Sequence, residues 1–342
     1  MLKDPYVVLK DPYVRREINM RRILVTGALG QIGRDLTARL RGIYGHDAVL
    51  ASDIRGDHGE ASSGPFRLVD VADGDALCEA AKDHGADTII HLAALLSATA
   101  ESKPMLAWQL NIGGLLNALE AARVLGCRLF TPSSIAAFGA GTPKKGTPQD
   151  TLQRPSTMYG ISKVSGELLC DYYFHKYGVD TRGLRFPGLI SHAAPPGGGT
   201  TDYAVDMYVS AVKSGQYRSY LGPGTFLDMM YMPDAVESVI RLMEADATRL
   251  KHRNAFNVTA MSVDPEAIAS SIRRRIPDFR LEYDIDPVRQ AIADGWPDAL
   301  DASAAREEWG FRAKYDLDGM TDDMLSNLSG KPLYGGNEAI LQ

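Results

Sequence analysis

Only three of the 342 residues are cysteine, and Cys78, Cys127 and Cys170 stand far apart, with no Cys-x-x-Cys pair and no histidine at ligand spacing. An odd, scattered set builds neither a disulfide framework nor a zinc site, so no metal is expected and a reducing, cytoplasmic setting is. Long apolar runs are missing as well: nothing nears the roughly 18 to 20 residues of a membrane-spanning helix, and no signal-peptide core opens the chain. Basic surplus is also absent. The 37 Lys and Arg against 43 Asp and Glu leave a formal charge of −6, and no cation cluster stands ready for a phosphate backbone or anionic lipid. Nucleic acid and membrane surface are therefore excluded as first partners, and a small-molecule substrate is expected.

What is present is a chain 45% hydrophobic, enough to bury a sizeable core in one large domain or two modest ones. The stretch Leu2–Val7 returns at Leu9–Val14, but two short copies build no solenoid, and residues 1–19 read as a mobile extension. From Arg22 short apolar runs alternate with longer amphipathic ones, the pattern of βα units stacking a parallel sheet between helices. Ile23–Val25, Ala48–Ala51, Thr88–Leu92 and Arg128–Thr131 read as strands; Ile32–Leu40, Asp75–Lys82 and Trp108–Val124 carry apolar residues at helical spacing. The expected fold class is α/β, a doubly wound parallel sheet of the Rossmann type over 20–185 with returns near 225–260. A smaller substrate-binding lobe is expected over 186–224 and 261–325, where Pro195-Pro196-Gly197-Gly198-Gly199 breaks the alternation, with a tail over 326–342.

Directly after the first strand comes Thr26-Gly27-Ala28-Leu29-Gly30-Gln31-Ile32-Gly33. Glycines at Gly27, Gly30 and Gly33 permit a tight strand-to-helix turn, a close backbone approach to a pyrophosphate and close helix-on-sheet packing. A glycine triplet alone is weak, but this one follows a strand, opens a helix and precedes Asp53 by about 20 residues, where a carboxylate reaches a ribose diol. Phosphates at the helix N-terminus would meet free N–H groups and the favourable end of the macrodipole. Asp53 would repel a 2′-phosphate, so NAD is preferred over NADP, with Arg55 read as facing solvent.

Tyr159 and Lys163 stand at i and i+4 and so share one helical face. A free phenol is only about 0.1% ionised at pH 7, too scarce a base; a nearby ammonium and a positive nicotinamide would lower its pKa toward neutrality. Upstream, Phe130-Thr131-Pro132-Ser133-Ser134 ends a strand in adjacent serines. Ser134 is the expected substrate-orienting hydroxyl, and Ser133 a backbone-capping or supporting residue. Either serine, or a Tyr-x-x-x-Lys pair, occurs often by chance; the order glycine turn, Asp, Ser-Ser, Tyr-x-x-x-Lys does not.

From about Arg22 to Gly310 that order resembles the extended short-chain dehydrogenases, the family of nucleotide-sugar epimerases and dehydratases. Several stretches are more closely similar to its L-threonine 3-dehydrogenase branch: His91–Glu101, Pro132–Gly139, Thr157–Lys163, Pro187–Ser191 and Pro196–Ala204. The resemblance implies NAD, oxidation of L-threonine at its 3-hydroxyl to 2-amino-3-oxobutyrate with hydride passing to the nicotinamide, and a homodimer. It adds Gln31, Ile32, Asp70, Val71, Leu92, Ala93, Ala94, Asn111 and Pro187 to the cofactor contacts. Ser97, Gly198 and Thr200 are implied at the substrate's amino-acid end, and Asn111 in a proton path to water. Serine at 134 stands where some relatives carry threonine, a swap that keeps the hydroxyl. Two rivals share the cofactor features. A sugar-nucleotide epimerase or dehydratase would need groups such as Arg218 and Arg289 to hold a diphosphate. A redox sensor that binds NAD without turnover would be expected to lack the Tyr/Lys pair.

Overall fold

A parallel strand covered by helices on both faces must be apolar throughout, and Ile23–Thr26 (β1) is buried at all four positions. The computed structural model describes residues 20–56, 64–193 and 197–330; the expected extension over 1–19 and residues 331–342 of the expected tail lie outside it. The strands that follow are β2 (Val49–Asp53), β3 (Phe66–Leu68), β4 (Thr88–His91), β5 (Arg128–Ser134) and β6 (Thr181–Phe186). Further along come β7 (Gly188–Ile190), β8 (Gln216–Ser219), β9 (Leu227–Tyr231), β10 (Phe256–Asn257), β11 (Met261–Val263) and β12 (Arg280–Tyr283).

Seven strands form the main sheet in the order β3-β2-β1-β4-β5-β6-β10, and every pair in it is parallel. The chain winds outward from β1 in one direction and restarts at β4 in the other. The carboxyl ends of β1 and β4 therefore flank a switch point, where the two connections diverge and leave a crevice.

The helices that matter for that crevice are α1 (Gln31–Tyr44), α2 (Gly74–His84), α3 (Ser97–Ser102), α4 (Pro104–Trp108), α5 (Gly114–Leu125), α6 (Met158–Tyr177) and α7 (Tyr203–Ser214). The sequence reading expected one helix over Trp108–Val124; instead α4 and α5 are joined by a π-helical turn, Gln109–Gly113. Helix α6 starts where the Thr157 side chain accepts the Gly160 N–H, the usual service of an N-cap hydroxyl, and that fixes the phase in which Tyr159 and Lys163 leave the helix.

One face of the sheet packs with α1, Met232–Glu244 and the side chains of Ala302, Ala305, Trp309 and Phe311, so the chain returns to the sheet both near 230–258 and after residue 300. The other face packs with α2 and α5. A third core joins α7, the three-stranded sheet β11-β9-β7 and Pro265–Arg273 into the smaller lobe. The helix Leu317–Leu328 also belongs there, which carries ordered structure slightly past the expected tail boundary at 326.

Candidate active site

The first turn after β1 is a cradle that only glycine can line. Gly27 has φ +69°, and a Cβ there would lie 2.7 Å from the Ala93 nitrogen. A Cβ on Gly33 would come within 2.8 Å of the Ala28 Cα, backbone that cannot yield. Helix α1 begins just beyond, with no acidic residue in its first turn, so its free N–H groups face a site that favours an anion.

At the end of β2 the Asp53 side chain is buried and accepts the Leu29 N–H at 3.1 Å. It also accepts the Arg55 backbone N–H at 3.1 Å and the Arg55 Nε at 3.0 Å. Burial pushes this carboxyl up, but Arg55 and the two backbone donors outweigh it and hold it below the ordinary carboxylate value. Arg55 was expected to face solvent. Its side chain is 58% exposed, yet its head group is folded back onto Asp53, because a buried carboxylate two residues away is a stronger partner than water.

Two adjoining clefts of about 800 Å³ each run along the carboxyl edge of the sheet. The first brings together Gly27, Gly30, Asp53, Asp70 and Val71; the second brings together Gln31, Ile32, Ser97, Ser134, Tyr159, Lys163, Pro187 and Thr200, and Leu92 and Ala94 line both. Ala93 lines the first beside them. Gly33 lies behind the cradle, packed on the turn. Gly198, with φ +91°, stands at the rim of the loop rather than on the cleft wall. Asp70 Oδ1 accepts the Ala72 N–H at 2.9 Å, which shapes the turn after β3. Residues 194–196 of the expected glycine-rich loop lie outside the described residues.

Deeper in, the Ser134 hydroxyl shares the cleft wall with the Tyr159 phenol, near enough to pull its pKa down, and accepts the Ala136 N–H at 3.2 Å. The capping expected of Ser133 thus falls to Ser134; Ser133 instead donates to Glu167, which a buried Arg185 holds with two bonds of 3.0 and 2.9 Å. Lys163 donates to the Pro132 carbonyl at 2.7 Å, with its Nζ 5.3 Å from the centre of the Tyr159 ring. Burial lowers the Lys163 ammonium to about 8, with Glu167 opposing. Burial likewise raises the Tyr159 phenol to about 12, with Ser134 pulling the other way.

In the chain alone desolvation is the largest influence on the phenol; the lowering expected for Tyr159 also calls on the positive nicotinamide, which belongs to the bound cofactor. Asn111, in the π-turn, accepts the Leu95 N–H at 2.8 Å and donates to the Leu95 carbonyl at 3.1 Å and Ser162 at 3.3 Å. Its side chain thus holds the loop after β4. Arg218 pairs with Glu282 at the surface and Arg289 lies over the Tyr220 ring, and neither lines the cleft. Sequence reasoning did not find Asp202 or Trp296, both of which line the second cleft; no motif of fixed spacing marks them. Ser97 is the first residue of α3, not its cap, because Leu96 holds the capping position.

A glycine cradle at a helix N-terminus, an acid at the end of the next strand, and a Ser/Tyr/Lys group supplied by the end of β5 and by α6 define a dinucleotide-dependent enzyme. Residues 23–259 match the model of the NAD-dependent epimerase/dehydratase family, and the chain belongs to that family. It is similar to an uncharacterized epimerase/dehydratase of Staphylococcus aureus strain MRSA252, 56% identical over 93% of this chain and all of the relative. Among solved structures it is similar to the L-threonine dehydrogenase of Clostridium difficile, at 61% identity and a TM-score of 0.90, covering 92% of this chain and 99% of that one. It is also similar to a GalE-like L-threonine dehydrogenase from Cupriavidus necator in its holo form, at 48% identity, a TM-score of 0.87, and 90% and 99% coverage. The cofactor is NAD, and the cradle around Gly27 and Gly33 together with Asp53 fits it.

Proposed function

We propose that this chain oxidises the 3-hydroxyl of L-threonine to 2-amino-3-oxobutyrate. The observation that supports this best is the likeness, over nine-tenths of the chain, to solved L-threonine dehydrogenases. The cleft fits a small polar substrate: Lys163 is the one basic side chain among its described lining residues, and a nucleoside diphosphate would find no guanidinium there. The family's sugar-nucleotide chemistry is therefore the weaker reading.

Ser134 and Tyr159 would grip the substrate hydroxyl between them, and Tyr159 would take its proton as carbon 3 is oxidised. NAD, when bound, supplies the two-electron acceptor. Because burial favours the neutral phenol, the charge of Lys163 lies where a phenolate needs it; in water-poor surroundings such a charge counts for more than at the surface. The Pro132 carbonyl keeps the ammonium in place, and Asn111 fixes the loop bearing Leu95 beside it. Ser97, Gly198 and Thr200 would hold the amino-acid end. The Thr200 hydroxyl is buried with no hydrogen-bond partner among the described residues, a state that a bound polar group would relieve. The test is mass detection of the oxidised amino acid after incubation with NAD and L-threonine. Its appearance supports the reading, and recovery of unchanged threonine under saturating NAD counts against it.

A further inference from the structure

The second cleft carries an acid that the mechanism leaves unused. Asp202 ends the short turn Thr200–Asp202 that leads into α7, and it lines the same cleft as Ser134 and Tyr159. One carboxylate oxygen, Oδ2, accepts the Gly198 and Gly199 N–H groups at 2.8 and 2.7 Å. The other, Oδ1, accepts no hydrogen bond among the described residues.

Its electrostatic surroundings are unbalanced. Asp206, one turn along α7, is a second acid whose charge acts on Asp202's side of the lobe, and Arg289, over the Tyr220 ring, is the cation that faces both. Arg289 also leans toward Asp286 at 3.8 Å, so the buried Asp202 and the partly buried Asp206 share less than one positive charge. Burial raises both acids, Asp206 to about 6, with Arg289 opposing in each case. A carboxylate only partly compensated in a desolvated cleft is costly unless a cation arrives to pair with it.

Resting on the threonine reading, we propose that Asp202 is the specificity residue that receives the substrate's α-ammonium, through the free Oδ1 edge, and so selects amino alcohols over hydroxy acids that lack the amine. The same surplus of negative charge disfavours a diphosphate.

The test compares kcat and KM for L-threonine and for 3-hydroxybutyrate, which keeps the hydroxyl and carboxylate but has no amine, in the wild-type holoenzyme and in Asp202→Asn. Asparagine keeps an oxygen for the Gly198 and Gly199 donors while removing the charge. The expected result is a tenfold or larger loss in kcat/KM for threonine, carried mainly by KM, with less than threefold change for 3-hydroxybutyrate. Asp206→Asn, off the cleft wall, should move the same ratio by a smaller factor, and serves if Asp202→Asn fails to fold by thermal melting. An equal loss on both substrates would reduce Asp202 to a loop-holding residue and overturn the inference, as would an unchanged threonine KM. Wild-type protein that gives no oxidised threonine at all would instead overturn the reading on which the inference rests.

Discussion

Replacing Asp53 by Asn separates the two tasks this residue performs. The amide oxygen can still accept the Leu29 N–H, so the glycine turn keeps its support, while the charge that a ribose diol would meet is lost. Charge-assisted hydrogen bonds contribute roughly 1.5–3 kcal/mol. Against this stands the Arg55 ion pair, which NAD must loosen; with Arg55 58% exposed, that pair is worth no more than about 1 kcal/mol. The difference, about 0.5–2 kcal/mol, corresponds to NAD binding weakened roughly two- to thirtyfold. NADP should respond differently. Its 2′-phosphate is repelled by the carboxylate and would meet a released Arg55 guanidinium in the variant, so its affinity should hold or improve and the NAD/NADP ratio should narrow. Calorimetric titration of each cofactor into wild-type protein and Asp53→Asn measures both. A change in NAD affinity below twofold, or equal weakening of NAD and NADP, would refute the assignment of Asp53 to the ribose.

Removing the phenol oxygen with Tyr159→Phe should lower turnover on the order of a thousandfold, within the range for loss of a general acid–base group, while the NAD dissociation constant stays within about threefold by the same titration. A pH-dependent stability effect should appear in Lys163→Met. Because burial drops this ammonium from its ordinary value to about 8, the folded state binds fewer protons than the unfolded one across roughly pH 8 to 10.5. The wild type therefore gains stability as pH rises through that window and bears the full penalty below it. In urea titrations the inactive Lys163→Met should be the more stable protein at pH 7, with the gap closing as pH approaches 10.5. A gap independent of pH would contradict the burial argument.

Much of the sheet and the cofactor cradle was legible because each rests on local chemistry. Glycines at 27, 30 and 33, Asp53 and the apolar run Ile23–Val25 announce a strand, a tight turn and a helix without reference to distant residues. Strand β6 was hidden because Arg182 and Arg185 interrupt its apolar pattern. Arg182 is paired with Asp180 two residues away, but its burial also needs the Leu242 carbonyl, and Arg185 needs Glu167, partners that lie elsewhere in the sequence. The π-turn at Gln109–Gly113 could not be read from a 3.6-residue period, which it breaks only locally. In the site, Tyr159, Lys163 and Ser134 were found by spacing and order, but whether Ser133 or Ser134 capped the backbone depended on where Glu167 stood. How strongly burial opposes the lowering of the Tyr159 pKa was not legible for a related reason: neighbouring charges can be guessed from sequence, whereas the depth of burial cannot. Asp202 escaped notice because its meaning comes from sharing a cleft with residues more than 40 positions away.

The most direct test follows NADH formation, by its near-ultraviolet absorbance, in purified protein given NAD and L-threonine, with a parallel sample given NAD and UDP-galactose and assayed for epimerised sugar. The account predicts a threonine-dependent rise that saturates with substrate and is abolished in Tyr159→Phe, with no epimerised sugar. A flat trace with threonine, alongside epimerised UDP-sugar in the parallel sample, would leave the fold and the NAD site standing and contradict the threonine reading.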